Sequence, residues 1–535
     1  MFCRLQSATV IGVDSSIIEI EVDLKKGFPL QTIVGLPDPA IKEARERVNS
    51  AIRNTGFLFP LGRLTVNLAP ADLKKEGSIF DLAIALGILV VSGQITIKQN
   101  LATFIILGEL SLDGYIRPIH GLLAILEKAR EINIKNIIIP QENCKEANLI
   151  SGLTVYPVKF LKEAIDIIMD SEEKVPSINS AVKSDNTVCF SNDEDNYSRD
   201  FSEVRGQNFA VRAVEIAAAG GHNMLLIGSP GSGKTMIASR IPTILPEMTE
   251  DESIETTKIY SIAGLLPVET GLVKRRPFRS PHHTASEISI IGGGKNPIPG
   301  EVTLSHNGIL FLDEFTEFKS SIIQSLRQPL ESGSITIARA DARLVFPARF
   351  MLIASMNPCP CGYLFDSDKI CRCNPAQINK YYMKISGPIL DRIDIQVEVK
   401  PLKAFEIVES RSSVPSSVIG ERVLNARKIQ KERLSEFGTT LNSLMNIELV
   451  KQYCVLDKEM EELLYTAIKK YKFSARSYYK VLKVARTIAD LDSRECLRKE
   501  DILEALSFRE VENILYNRPY SEVWLGTSNK VNNLL

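Results

Sequence analysis

The chain has 535 residues, with 64 Lys and Arg against 65 Asp and Glu, for a formal net charge of −1. That length supports two or three domains with large cores. The charge balance excludes a globally basic nucleic-acid binder, so any contact with a polyanion has to come from local basic loops. The longest apolar run, Leu82 to Val91, is too short to span a bilayer, and Met1-Phe2-Cys3-Arg4 does not open a basic region followed by an apolar run. Nine cysteines in a chain this long do not make a disulfide scaffold. A soluble cytoplasmic protein without a membrane partner is expected.

Residues 1–165 read as a mixed α/β domain. Strands are expected at Ala8–Gly12, Ile17–Val22, Leu64–Leu68 and Thr103–Leu107, and helices at Ala40–Arg53, Ile79–Val91 and Gly121–Glu131. Three stretches, Asp72–Ser78, Gly108–Gly114 and Ile138–Asn143, resemble the proteolytic domain of Lon proteases, which implies that domain's fold (ribosomal S5 domain 2-like). Aligning the turns puts Ile79 where that family has its nucleophilic serine and Leu123 where it has the partner lysine. Ser78 lies one place early and reads as a helix N-cap. A serine without an activating base is a poor nucleophile, so the resemblance argues against peptidase activity. Residues 166–200 are polar and acidic, with too few large apolar groups to offset their ordering entropy, and a linker is predicted there.

Residues 201–400 carry the strongest signals. A helix at Phe209–Ala219 precedes an apolar strand that runs into Gly228-Ser229-Pro230-Gly231-Ser232-Gly233-Lys234-Thr235. This is the P-loop form: backbone N–H groups cradle phosphate, Lys234 reaches the β and γ groups, and the Thr235 hydroxyl ligates Mg²⁺. A second apolar strand ends in Asp313-Glu314, one carboxylate for the metal and one for the attacking water. A third ends in Asn357, placed to orient water beside the γ-phosphate. Strands alternating with helices imply a parallel sheet whose carboxyl ends gather these residues into one ATP site.

Two insertions interrupt this core. Ser286–Ser305 reads as a hairpin with Lys295 at its glycine-rich tip, and Gly333–Phe350 as a two-stranded ribbon carrying Arg339 and Arg343. Such basic turns either stay solvated or, where copies of a subunit line a pore, track a phosphate backbone. His282-His283 reads as a packing or hydrogen-bonding pair rather than as metal ligands. Cys359-Pro360-Cys361 and Cys371-Arg372-Cys373 suit either a tetrahedral Zn²⁺ site or reduced, metal-free thiols. Residues 401–510 read as a helical domain. In it Ala475 onward forms a helix with Val481, Leu482, Val484, Ala485, Ile488 and Ala489 on its inner face, and with Arg476 at its start, either solvated or reaching the γ-phosphate. Residues 511–535 form a tail.

With the P-loop, Asp313-Glu314, both insertions, Asn357, the cysteines and Leu390-Asp391-Arg392 in this order, the chain resembles the ComM/YifB family of AAA+ ATPases, related to the ATPase subunit of magnesium chelatase. The resemblance implies a homo-hexameric ring moving on single-stranded or branched DNA as a branch-migrating helicase in natural transformation and recombination. It also implies that Arg392 is an arginine finger supplied to the neighbouring subunit's ATP and that Arg476 is a second sensor. The alternative it leaves open is a chelatase-type motor that remodels a protein partner for metal insertion.

Overall fold

The computed structural model describes residues 1–169, 178–179, 199–266, 272–294, 297–338, 343–366, 369–385, 387–402, 414–471 and 473–509, apart from residues 37, 72, 74 and 76. Most of the expected linker, the expected tail, Lys295 and Arg339 lie outside the described residues.

The N-terminal part is organised on an eight-stranded sheet in the order β10-β9-β8-β5-β1-β2-β4-β3. Its strands are β1 (Phe2–Ile11), β2 (Asp14–Lys25), β3 (Leu30–Val34), β4 (Arg63–Ala69), β5 (Phe104–Ile106), β8 (Asn136–Pro140), β9 (Thr154–Val158) and β10 (Ile178–Asn179). A separate small hairpin joins β6 (Glu109–Leu110) to β7 (Ile116–Arg117). Successive strand side chains point to opposite faces, so alternate residues feed two cores. Phe104, Ile106 and Ile138 pack on one face with α2 (Asp81–Val91), whereas Ile105, Ile137 and Ile139 pack on the other with α3 (Leu122–Glu131). Helix α2 is apolar all round and buried from Asp81 to Leu89, as a helix enclosed on every side must be. It is flanked by α1 (Pro39–Asn54), whose N-cap Asp38 accepts from Ile41 N–H at 2.8 Å.

Helix α2 corrects one expectation. It begins at Asp81 with Phe80 as its cap residue, so Ser78 does not cap it; the Ser78 hydroxyl donates instead to Glu109. The two positions that align with the Lon dyad hold apolar side chains packed in the cores, Ile79 partly and Leu123 fully buried.

The second sheet is parallel throughout, in the order β12-β15-β18-β11-β19. Its strands are β11 (Met224–Ile227), β12 (Phe278–Arg279), β15 (Ile309–Leu312), β18 (Met351–Met356) and β19 (Ile395–Glu398). Helix α4 (Asn208–Gly220) precedes β11, α5 (Lys234–Ala238) follows it, and α6 (Glu250–Ile262) leads toward β12. The first insertion is less of a hairpin than its glycines suggest. Its strands β13 (Gly292–Gly293) and β14 (Ile298–Pro299) pair over two residues only, between α7 (Glu287–Ile291) and α8 (Glu301–Leu304). The flank is helical because the Ser286 hydroxyl caps Ser289 N–H at 3.1 Å, and Gly292, at φ +98°, then ends the turn. The second insertion is the expected ribbon: after α9 (Arg327–Ser332), β16 (Ser334–Ala338) pairs antiparallel with β17 (Arg343–Pro347). Helix α10 (Pro375–Met383) lies between β18 and β19.

The C-terminal helices include α11 (Ser416–Leu434), α12 (Ala475–Leu491) and α13 (Lys499–Ser507). All six residues expected on the inner face of α12 are buried. One buried ion pair fixes this helix to the sheet: Lys480 Nζ lies 2.8 Å from Asp394 Oδ1, at the start of β19. Burial alone would raise the Asp394 carboxyl, but Lys480 and His222 hold it well below the usual carboxylate range. Asp394→Ala would strand a buried ammonium, at a cost of about 3–5 kcal/mol. We expect faster amide exchange in β11 and β19 of that variant, and unchanged exchange would show that the pair does not hold the sheet.

The two parts meet along α6. Gly121 N–H donates to Ser261 O and Oγ, at 3.2 and 3.0 Å, just before α3. The Ser261 hydroxyl donates to Glu146, which also accepts from Leu123 N–H at 3.2 Å. Lys258 Nζ lies 2.7 Å from Glu127, and Val13 packs against Ile259, Tyr260 and Leu304.

Candidate functional site

At the end of β11 the chain turns through Gly228–Gly233 into α5. A Cβ on Gly228 would stand 2.2 Å from Val399 O, and Gly231 and Gly233 sit at φ +80° and +94°, so the turn depends on residues without side chains. Lys234 is buried, its Nζ donating to Gly228 O at 2.7 Å, Ser229 O at 2.9 Å and Asn357 Oδ1 at 3.3 Å. Burial lowers its pKa, partly offset by Asp313 and Glu314. The Ser229 and Ser232 hydroxyls are buried without a protein partner. A cation folded back on carbonyls beside two orphaned hydroxyls is a fit for the phosphates of a nucleotide, which would satisfy all three.

The strand order decides which residues meet. Because β18 lies between β11 and β15, its last residues touch both neighbours. Ser355 and Asn357 are two apart and so directed to the same face of an extended chain, yet each serves a different neighbour. The Ser355 hydroxyl donates to Asp313 Oδ1, while Asn357 meets Lys234. Asp313 Oδ2 accepts from Thr235 Oγ1 at 2.7 Å, and its Oδ1 accepts from Glu314 N–H at 2.9 Å. A hydroxyl and a carboxylate side by side past the strand ends are the hard oxygen donors that suit Mg²⁺ bridging to a triphosphate. Glu314 is exposed and left-handed, at φ +51°, which turns its carboxylate away from the strand line. His283 Nδ1 lies 3.2 Å from Glu314 Oε2, and the His282 ring packs against that of His283, tilted by 33° with centroids 4.2 Å apart. The histidine pair thus packs and bonds, in line with its sequence reading.

Arg392 and Arg476 are both ion-paired to one oxygen, Glu331 Oε1 on α9, Arg476 at 3.1 Å. Lys480, four residues along the same face of α12 as Arg476, holds Asp394 two residues beyond Arg392. The helix and the strand are therefore pinned side by side, and the two guanidinium groups converge. Asn223, at the start of β11, donates from Nδ2 to Arg392 O at 3.0 Å. Arg392 thus sits at the amino edge of the sheet, and the P-loop at its carboxyl edge.

The four cysteine sulfurs lie within 4.8 Å of one another, with pairs at 3.4, 3.5 and 3.7 Å. A tetrahedron of sulfurs with Zn–S near 2.3 Å has edges of about 3.8 Å, so the donor set fits zinc. Cys361 N–H donates to Cys373 Sγ at 3.4 Å, the kind of bond that supports a ligating thiolate. Of the basic insertion residues, Arg343 is exposed at the first position of β17. Sequence reasoning missed Ser355, Glu331, Asp394 and the His283–Glu314 contact; only the four-residue spacing of Arg476 and Lys480 on one helix face signalled any of them.

A parallel sheet with this strand order, a loop lysine, a paired carboxylate, a polar residue on the strand between them and arginines at the far edge define a P-loop ATPase of the AAA+ class. Family models agree: "Magnesium chelatase, subunit ChlI" matches residues 200–407, "Subunit ChlI of Mg-chelatase" residues 20–143, and "Magnesium chelatase, subunit ChlI C-terminal" residues 413–509. Competence protein ComM of Haemophilus influenzae is 41% identical over 515 residues, covering 95% of this chain and 97% of that protein. YifB of Escherichia coli is 39% identical over 516 residues, covering 96% and 97%. The DNA replication licensing factor mcm7-B of Xenopus laevis is 21% identical over 329 residues, covering 58% and 39%. The chain belongs to the ComM/YifB family of magnesium-chelatase-like AAA+ ATPases, whose cofactors are ATP and Mg²⁺. No helix among the described residues is long and apolar enough to cross a membrane.

Proposed function

We propose that the chain is the subunit of a hexameric, ATP-driven DNA motor that promotes branch migration in recombination and natural transformation. The observation that carries this reading is the position of Arg392. From Asn223 to Gly228, the residues that flank β11, is five steps along the chain, roughly 16 Å at about 3.3 Å each, more than an arginine side chain spans. That separation supports reading Arg392 as serving not its own P-loop but that of a neighbouring subunit. In this reading Thr235 and Asp313 hold Mg²⁺, directly or through water. Lys234 offsets phosphate charge, Asn357 orients water and Glu314 removes its proton. Arg392 arrives in trans, and Arg476, tied to the same carboxylate, arrives with it as second sensor. Zn²⁺ is assigned to Cys359, Cys361, Cys371 and Cys373.

The names of two relatives, a competence protein and a DNA replication factor, support DNA as the track, and the two insertions are the elements to contact it in a ring pore. Reversing the charge of Lys295, Arg339 and Arg343 together is expected to weaken single-strand binding. It should also flatten the slope of log affinity against log salt by about 2, at roughly 0.7 for each phosphate no longer neutralised. An unchanged slope would move the contact elsewhere. The reading as a whole is tested by sedimentation of the nucleotide-bound chain, by ATP turnover with and without single-stranded DNA, and by migration of a synthetic branched junction. A monomer indifferent to DNA would sink it. The family models favour one other reading, a motor that remodels a metal-insertion partner, for which turnover would respond to that protein and not to DNA.

A further inference from the structure

The cysteine cluster is not a remote ornament of the ATPase core. Cys359 follows Asn357 by two residues, so one limb of the cluster is the direct continuation of β18. The turn after Cys361 enters the nucleotide site itself. Gly362, at φ +84°, donates its N–H to Cys359 O at 2.9 Å and lies between the P-loop and the polar residue of β18. A Cβ there would stand 2.6 Å from Cδ and 2.8 Å from Cγ of Pro230, and 3.9 Å from Cγ of Asn357. The other limb, Cys373, runs straight into α10, whose N-cap Asn374 accepts from Gln377 N–H at 2.8 Å. Two tyrosines of α10 return to the site. The Tyr382 hydroxyl donates to Pro358 O, and Tyr381 Oη accepts from Thr316, two residues beyond Glu314, at 2.7 Å.

We propose that the four thiolates form a zinc clip that sets the shape of the nucleotide pocket, so that metal occupancy and nucleotide affinity are coupled. The proposal rests on the zinc assignment made above and goes beyond it. Between β18 and α10 the described residues contain no helix or strand, and their apolar packing is confined to a few partly buried groups such as Leu364 and Phe365 around the cysteines. A segment of that kind orders itself poorly without a cross-link, and zinc binding to thiolates supplies folding free energy directly. Joining the four sulfurs therefore orders three walls at once: the Pro230 side of the P-loop through Gly362, Asn357 through the chain, and the Asp313-Glu314 turn through Tyr381 and Thr316. Coupling between two bound ligands is reciprocal, so the factor by which the metal tightens nucleotide must equal the factor by which nucleotide tightens the metal.

The full-length chain is the material for the test, with DNA absent so that the outcome is independent of the motor reading. Zinc per chain is measured by elemental analysis. Affinity for a slowly hydrolysed ATP analogue with Mg²⁺ is then measured on zinc-loaded and chelator-stripped protein, and zinc affinity by chelator competition with and without the analogue. One zinc per chain is expected, together with a loss of analogue affinity on stripping of about tenfold, the scale of a typical coupling, and the same factor in the zinc competition. Gly362→Ala probes the contact without touching a ligand. It is expected to keep one zinc per chain yet bind the analogue more weakly, because its Cβ pushes Pro230 aside. If stripping unfolds the protein, Gly362→Ala and the competition experiment still decide. Equal analogue affinity in loaded and stripped protein, or a Gly362→Ala variant that binds like wild type, overturns the coupling while leaving the zinc site. A chain that neither contains zinc nor takes it up, with Cys371→Ser binding the analogue normally, overturns both.

Discussion

Arg392→Ala is expected to lower ATP turnover by roughly 10³ to 10⁵, the range for a guanidinium supplied to a phosphoryl transition state, while leaving nucleotide binding nearly intact. The separation follows from the fold. The P-loop, where phosphate is proposed to bind, is at the carboxyl edge of the sheet, and Arg392, bonded through its carbonyl to Asn223, is at the amino edge. Removing it takes nothing from the pocket of the same chain. Steady-state turnover and equilibrium nucleotide binding measured on one preparation separate the two effects, and a large loss of affinity would refute the finger role. A mixing experiment sharpens the test. Neither Arg392→Ala nor Glu314→Gln alone should turn over, but mixed rings should regain activity, because a Glu314→Gln subunit can lend its arginine to the ATP held by a neighbour whose Glu314 is intact. A mixture as inert as its components would mean that the arginine does not act across the interface.

The Glu314→Gln variant carries the second large effect. The change keeps shape and hydrogen-bonding reach but removes the carboxylate that, in the proposed mechanism, takes a proton from water, so kcat is expected to fall by about 10² to 10⁴. Bound ATP should persist, since Lys234, Thr235 and Asp313 are untouched. Single-turnover hydrolysis with pre-bound ATP reads this directly, and undiminished hydrolysis would exclude Glu314 as the base. His283 bears on the same step. Its Nδ1 lies 3.2 Å from the Glu314 carboxylate, whose αL backbone has already swung it off the strand. The two together fix where the Glu314 carboxylate lies.

The parts of this site that are legible in the sequence are those written in consecutive residues. A P-loop, a strand ending in two carboxylates and a strand ending in Asn357 each carry their chemistry in a handful of neighbouring positions, and parallel-sheet logic then brings their ends together. The inner face of α12 was legible because its apolar residues repeat at helical spacing. Contacts between distant residues leave no such trace. Nothing near Glu331 marks it as the shared partner of Arg392 and Arg476, and nothing near Ser78 marks Glu109 as its acceptor. The first insertion misled for a local reason. Three glycines in a row advertise a turn, whereas the flanking Ser286 cap and the isoleucines behind it determine that a short helix leads into that turn. Strands β8 and β9 are five residues each, and an apolar run of that length reads equally well as buried helix.

The seam along α6 bears on what the N-terminal domain can become. In a Lon-type peptidase the turn ahead of α3 would present a lysine to a serine. In this chain Gly121 and Leu123 bond there through their backbone to Ser261 and Glu146, and the Leu123 side chain is wholly enclosed. Installing serine at 79 and lysine at 123 would accordingly not resurrect a protease. The lysine would be driven into the apolar core beneath α3, among Ile105, Ile137 and Ile139, and the foreseeable casualty is the fold of this domain rather than any peptide.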